Sequence, residues 1–437
     1  MEDTKEKYHN HHFRRFASIF LHAHFDVDVV DRPANNLHIS NFDIFLLGSS
    51  IFTHIVDMGF DYNVAFQYLF RGKTIYFVWT MCLILIPSLI NVIISKRMQH
   101  QDKRGFDADE EDDRKTLHLM IKNKIYCGIA VILQLAPVLH YWETLIYALK
   151  SRKCEKSNDR VGQRQYYLKM LKEDQDVALL RVFECFLEAA PQQILQLSLM
   201  LKYYHNEVNY EFVHQVGSVV SSLVSMGWVM ASYHRSIRLA QDEKYNIDLL
   251  GSAFQFFSHF FITVTRILSI SVIASVWPLY TVICCVIHWM IVTIWILIDS
   301  HGLVEFCRSC NRPPHVPPTI KERIRSVLFA AIIGIVHTFI YLNVVAGNTF
   351  WKHLIFYTLC TLENVAAVVL WRLLHLRKLG DLKISSSEEV KNAWYFDVIP
   401  IVCLVSFVTG IVSIILYYIV FHPPKWRRSQ NVPLQTM

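Results

Sequence analysis

The chain of 437 residues is 53% hydrophobic and only 18% charged, a balance that excludes a soluble globular protein and places it in a lipid bilayer. Its net charge of +6 gathers in basic loops between apolar segments and needs no nucleic-acid partner. Ten cysteines, most of them inside apolar segments, lack the dense spacing of a disulfide-stapled ectodomain and read as small core residues.

Residues 1–40 form a polar arm without the apolar core and cleavage site of a secretory signal, so the first apolar helix directs insertion and the arm stays cytosolic. Ten apolar segments follow, at 41–69, 74–95, 121–149, 177–204, 212–239, 249–277, 278–300, 326–346, 350–374 and 395–421. Amides in hydrocarbon must bond within their own segment, and the residues do not alternate as barrel strands do, so the segments are helices. The expected fold class is an all-α polytopic membrane protein that closes on a short cytosolic tail at 422–437.

Charge decides which segments cross. The stretch 96–124 carries eight basic residues and 150–172 eight more, against two in 70–73 and one in 202–211, so both rich loops belong in the cytosol. They flank segment 121–149, which must then enter and leave on one side, with Pro137 in LQLAPVLHYWE as the expected break. LGSS at 47–50 opens the first segment and LGSA at 250–253 the sixth, dividing the membrane region into two repeats, 41–240 and 241–421. Symmetry then makes 326–346 the second re-entrant segment, although the basic residues of 372–393 favour the tenth. The expectation is about eight transmembrane helices plus two re-entrant segments in two pseudo-symmetric repeats.

The segment RVFECFLEAAPQQILQLSLM (181–200) carries charge where hydrocarbon should be. Arg181, Glu184, Glu188, Gln192 and Gln196 recur at helical spacing on one face, with Pro191 placed to bend it. Asp57 and Asp61 stand four apart in the first segment, Glu143 lies in the third, Arg266 in the sixth, and Glu363 with Asn364 in the ninth. A charge at the bilayer centre costs about 2.5–3.5 kcal/mol unless it pairs or meets water. Six embedded acids against two arginines cannot be neutralised one to one. One reading is helix packing, with Arg181 held by a carboxylate of the first segment and the glutamines bonding across helices at about 0.6 kcal/mol each.

RVFECFLEAAPQQILQL (181–197), LQLAPVLHYWE (133–143), LGSAFQFFSHFFITVTRILSISVIAS (250–275), LENVAAVVLW (362–371) and FHPPKW (421–426) together resemble the XK-related proteins, whose apoptotic members are phospholipid scramblases. The resemblance implies passive, two-way movement of lipids such as phosphatidylserine across the plasma membrane, with both termini cytosolic, no enzymatic activity, no metal and no cofactor. The second reading of the embedded residues follows. Asp57, Asp61, Glu143, Arg181, Glu184, Glu188, Gln192, Gln196, Arg266, Glu363 and Asn364 would line a polar track for a headgroup whose acyl chains stay in the bilayer. Membrane phospholipids are the expected partners, with an accessory membrane subunit, a second copy of the chain and a caspase as further candidates.

Apoptotic relatives are implied to be switched on by caspase removal of an inhibitory tail, but residues 422–437 contain no Asp or Glu and offer no cut. Two other positions carry the D-x-x-D pattern: Asp31, followed unfavourably by Arg32 and Pro33, and Asp112 in DADEEDD, which also reads as a solvated charge run. Cys307-x-x-Cys310 with His301 and His315, and HNHH at 9–12, are weak metal signals. A non-transporting scaffold for a partner protein and an ion-coupled solute carrier remain the rival functions.

Overall fold

The computed structural model describes residues 38–102, 124–203, 210–239, 247, 249–299, 307, 316–342, 350–382 and 395–421, and among them there is no strand. Helix α1 (Asn41–Phe70) starts on a capping box, in which the Ser40 hydroxyl accepts from the Asp43 amide at 3.1 Å and Asp43 Oδ2 accepts from the Ser40 amide at 2.9 Å. Gly72, at φ +70, turns the chain into α2 (Thr74–Asp102). These two helices match the first two apolar segments closely.

The third segment breaks, but not at Pro137. Helices α3 (Lys124–Ile132) and α4 (Leu135–Lys156) meet at 98°, and the break falls on Leu133 and Gln134, the latter left-handed at φ 45. Pro137 sits in the first turn of α4, where an amide has no intrahelical carbonyl to meet and a proline ring is tolerated. The bend makes this segment a broken element, as the charge argument required, with the break three positions before the proline.

Helix α5 (Arg160–Glu184) begins well before its apolar segment, capped by Asp159, whose side chain accepts from the Gly162 amide at 3.0 Å. It continues through a π-helical turn (Cys185–Ala189) into α6 (Ala190–Tyr203). The π turn stands immediately before Pro191, which cannot donate to the Leu187 carbonyl and would crowd it. Widening the turn, so that the Ala190 amide reaches back to the Cys185 carbonyl, relieves both problems. The expected bend at Pro191 therefore takes the form of a wider turn just before it.

The remaining helices are α7 (Tyr210–Leu239), α8 (Leu249–Val276), α9 (Pro278–Asp299), α10 (Ile320–Phe339), α11 (Phe350–Leu382) and α12 (Tyr395–Leu416), the last closing in a π turn at Tyr417–Phe421. Helix α8 is the axis of the bundle and packs on α6, α7, α9, α11 and α12. Of its apolar stretch 61% is buried by protein, against 6% for α1, so α8 is a core helix and α1 a rim helix that gives most of its surface to lipid. Gly410 lets α12 reach α8, since a Cβ there would stand 2.9 Å from Ile262 Cγ1. Phe183 and Phe186, fully buried, carry the core from α5 to Phe329 and Phe339 of α10.

Among the described residues seven helices are long and apolar enough to cross a membrane, namely α1, α2, α7, α8, α9, α11 and α12, or eight elements if the bent α3–α4 pair is counted. The chain is thus an all-α, multi-pass membrane protein. Helix α12 is in this set and α10 is not, so of the two rivals for the second non-crossing segment the eighth is the one whose helix is too polar. The fourth segment is absent from the set as well, because the π turn divides it between α5, which is too polar, and α6, which has only 14 residues.

Candidate functional site

The polar face of α5 and α6 is covered on one side by α1 and closed at its centre by the break between α3 and α4. Helix periodicity puts His54, Asp57 and Asp61 on one face of α1, three and four residues apart. That face meets the stripe. Arg181 Nη1 lies 2.8 Å from His54 Nδ1 and 2.5 Å from Glu184 Oε1. His54 Nε2 stands 3.2 Å from the Gln134 carbonyl oxygen, which can only accept, so Nε2 carries the proton and Nδ1 offers its lone pair to Arg181. The expected partner of Arg181, a carboxylate of the first segment, is replaced by this histidine and by Glu184 of its own helix.

One turn deeper, Gln134 Nε2 donates to Glu188 Oε1 at 2.8 Å. Beyond it Gln192 Nε2 donates to Asp61 Oδ1 at 2.9 Å, and Gln196 follows half-buried on the same face. Glu188 and Gln192 are buried, Asp61 is half-buried, and Asp57, at mid-length of α1, is exposed with no hydrogen-bond partner among the described residues. The junction therefore has a sealed back and an open front at the lipid-facing rim. Glu184 Oε2, Gln192 Oε1 and Gln193 Oε1 are buried acceptors that meet no donor. Such oxygens are costly to leave unmade and would take an ammonium group or water.

A second junction gathers Arg266, Glu363 and Asn364. Arg266 Nε donates to the Thr338 carbonyl at 2.7 Å, Nη1 to Asn364 Oδ1 at 3.1 Å, and Nη2 pairs with Glu363 Oε2 at 2.6 Å. His288 Nδ1 lies 2.7 Å from Glu363 Oε1. This guanidinium is held by three partners, which use three of its five N–H donors, the kind of pairing a buried charge needs. Both junctions use parts in the same order: a side chain of an opening helix (His54 or Arg266), a backbone carbonyl at a helix break or end (Gln134 or Thr338), and a carboxylate of the helix after it (Glu184 or Glu363).

Glu143 belongs to neither junction. It is buried on α4 beside a third polar group, in which His140 Nδ1 lies 2.8 Å from Glu173 Oε2 and Nε2 2.8 Å from Ser95 Oγ. Donor atoms of His140, Glu173 and Asp176 all fall within 4.8 Å of one another, a set that could hold a divalent ion, although both ring nitrogens of His140 are already partnered by protein. Cys307 packs into the main core, and burial pushes its thiol up to about 11, away from the thiolate a metal would need. Asp31, Asp112, Cys310, His301, His315 and residues 9–12 lie outside the described residues.

Sequence reasoning missed His54, Gln134 and His288. His54 was detectable, being three residues before Asp57 on the acidic face. His288 is the one histidine of α9, and its partner Glu363 could have announced it. Gln134 could not be found, because its role depends on where α3 stops.

The profile of the XK-related protein family matches residues 45–423. Among curated proteins the chain is similar to "Cell death abnormality protein 8" of Caenorhabditis elegans, 25% identical over 406 residues that cover 91% of this chain and 82% of that one. The protein of the same name from Caenorhabditis briggsae is 25% identical over 414 residues, covering 93% and 83%. With a polytopic helical bundle, embedded charge and a family match running from the first described helix past the last, the chain belongs to the XK-related family.

Proposed function

We propose that the protein is a phospholipid scramblase of the plasma membrane, moving lipids such as phosphatidylserine passively between leaflets, and that the junction beneath α1 is its headgroup path. The observation that carries this reading is Asp57, an exposed carboxylate with no hydrogen bond among the described residues, at mid-length of a helix long enough to cross the bilayer. A carboxylate facing hydrocarbon is strongly unfavourable, so its surroundings must be polar or wet. Behind it Asp61, Glu188 and the unmatched oxygens of Glu184 and Gln192 supply acceptors for a headgroup ammonium, and Arg181 supplies a cation for its phosphate. The Arg266 junction, whose guanidinium three partners hold, fits helix packing better.

The relatives' names speak of cell death, which supports activation in dying cells. Within this reading a caspase cut at Asp31 or Asp112 is the switch, and both termini are cytosolic. The test is reconstitution of full-length and Asp31-truncated protein into vesicles holding fluorescent lipid, followed by dithionite quenching. Quenching of inner-leaflet lipid by either form supports the proposal. Protection of that lipid with both forms would leave the scaffold reading standing instead.

A further inference from the structure

We infer that Gln134 is a positioning residue that keys the tip of the α3–α4 bend into the headgroup path, where its carboxamide occupies Glu188 in place of a lipid headgroup. The inference rests on the scramblase reading for its second half only. At the tip of the bend the Val131 carbonyl accepts from the Gln134 amide at 3.3 Å, and three side chains from outside the bend bond the carbonyls of Val131, Ile132 and Gln134. The Tyr62 hydroxyl of α1 donates to the Ile132 carbonyl, the Ser88 hydroxyl of α2 donates to the Val131 carbonyl at 2.7 Å, and His54 donates to the Gln134 carbonyl at 3.2 Å. The tip is therefore fastened to both flanking helices.

The carboxamide adds the contact that matters for passage. Its Nε2 donates to Glu188 Oε1 at 2.8 Å, the same interaction an ammonium headgroup would make, and Gln134 is itself buried. A primary amide on a carboxylate is a weaker mimic of an ammonium, which makes it displaceable. Its backbone is left-handed, a conformation a non-glycine residue adopts only when its surroundings hold it there. The side chain is thus retained at a position where glycine would be less strained, and the Glu188 contact is the interaction that offsets this.

Gln134→Gly separates the two effects, because glycine suits φ 45 and removes only the carboxamide. Cys127, a free, half-buried thiol on α3 packed near Val92 of α2, reports whether the bend has loosened, and Cys154 at the far end of α4 reports general unfolding. The measurement is labelling of the intact protein in vesicles by a water-soluble maleimide, resolved by peptide mass spectrometry, beside lipid exchange on the same samples. We expect Gln134→Gly to raise Cys127 labelling relative to Cys154 by about tenfold, the loss of one hydrogen bond to a buried carboxylate, and to raise basal lipid exchange similarly. Glu188→Leu should raise Cys127 labelling as much but slow lipid exchange, since it removes the headgroup's acceptor; Glu188→Gln, which keeps an acceptor oxygen, should not raise labelling, and Gln134→Gly with Glu188→Leu should exceed neither single change in labelling. Unchanged Cys127 labelling in Gln134→Gly, or an equal rise at Cys154, would overturn the keying. Raised Cys127 labelling with slower lipid exchange in Gln134→Gly would overturn the competition with a headgroup. Raised labelling with no exchange in any form would uphold the keying and count against the scramblase reading alone.

Discussion

At the residue scale, amides answer part of the charge problem posed by the sequence, and histidines join the pairs the arginines make. Counting acids against arginines left four carboxylates without partners; Gln134 and Gln192 bring amides to Glu188 and Asp61, whereas His54 and His288 stand within 3.2 Å of Glu184 and Glu363, the two acids that Arg181 and Arg266 already pair. The embedded positions themselves were legible, because polar residues inside apolar segments are conspicuous. Their partners were not, since a histidine in a membrane segment has no spacing rule that names its neighbour. Arg266 shows what such a residue does energetically. With its three partners removed from water along with it, truncation leaves Glu363 half-exposed and Asn364 unmatched. Arg266→Ala should lower unfolding stability in detergent by about 3–5 kcal/mol, whereas replacing Arg266 and Glu363 together by apolar residues should cost much less. Equal losses in the single and double variants would remove the pair from the account.

At the scale of elements, apolar length placed the described helices near their segments except α5, which starts at Arg160 inside the expected basic loop, and the bend of the third segment agrees with loop charge. The residue at which it bends did not follow. Proline marks where a helix can stop, but Pro137 is absorbed in a first turn and the break is set by caps that Tyr62, Ser88 and His54 bring from other helices. The π turn at Cys185–Ala189 was hidden for the converse reason: Pro191 pointed to a kink, and packing on both sides of α5–α6 forced a widened turn. Close helix approach is testable at Gly410. Gly410→Ala puts a methyl 2.9 Å from Ile262 Cγ1 and 3.3 Å from the Ile262 amide nitrogen, and should destabilise by about 1–3 kcal/mol in a thermal melt. Gly217→Ala on α7, where a Cβ meets nothing within 4 Å, should be neutral or stabilising by up to about 1 kcal/mol. A destabilised Gly217→Ala beside an unaffected Gly410→Ala would contradict the packing described.

At the scale of the molecule, two junctions with parts in the same order sit in the two halves of one bundle, and they differ in one respect. The Arg266 junction holds its guanidinium on three partners, with Glu363 half-exposed and His288 Nε2 without a partner among the described residues. The junction beneath α1 is sealed behind by Gln134 and Glu188 and open in front at Asp57, on a helix with only 6% of its apolar stretch buried by protein. In the proposed function the junction beneath α1 is the headgroup path and the Arg266 junction a packing site. The most direct test is dithionite quenching of inner-leaflet fluorescent lipid in vesicles holding the active form of the protein, full-length or Asp31-truncated, against the same form carrying Asp57→Leu. Asp57 has no hydrogen bond to lose, so the variant keeps its fold, and the account predicts about tenfold slower lipid exchange with an unchanged melting temperature. Exchange at the wild-type rate in a folded Asp57→Leu protein would contradict it.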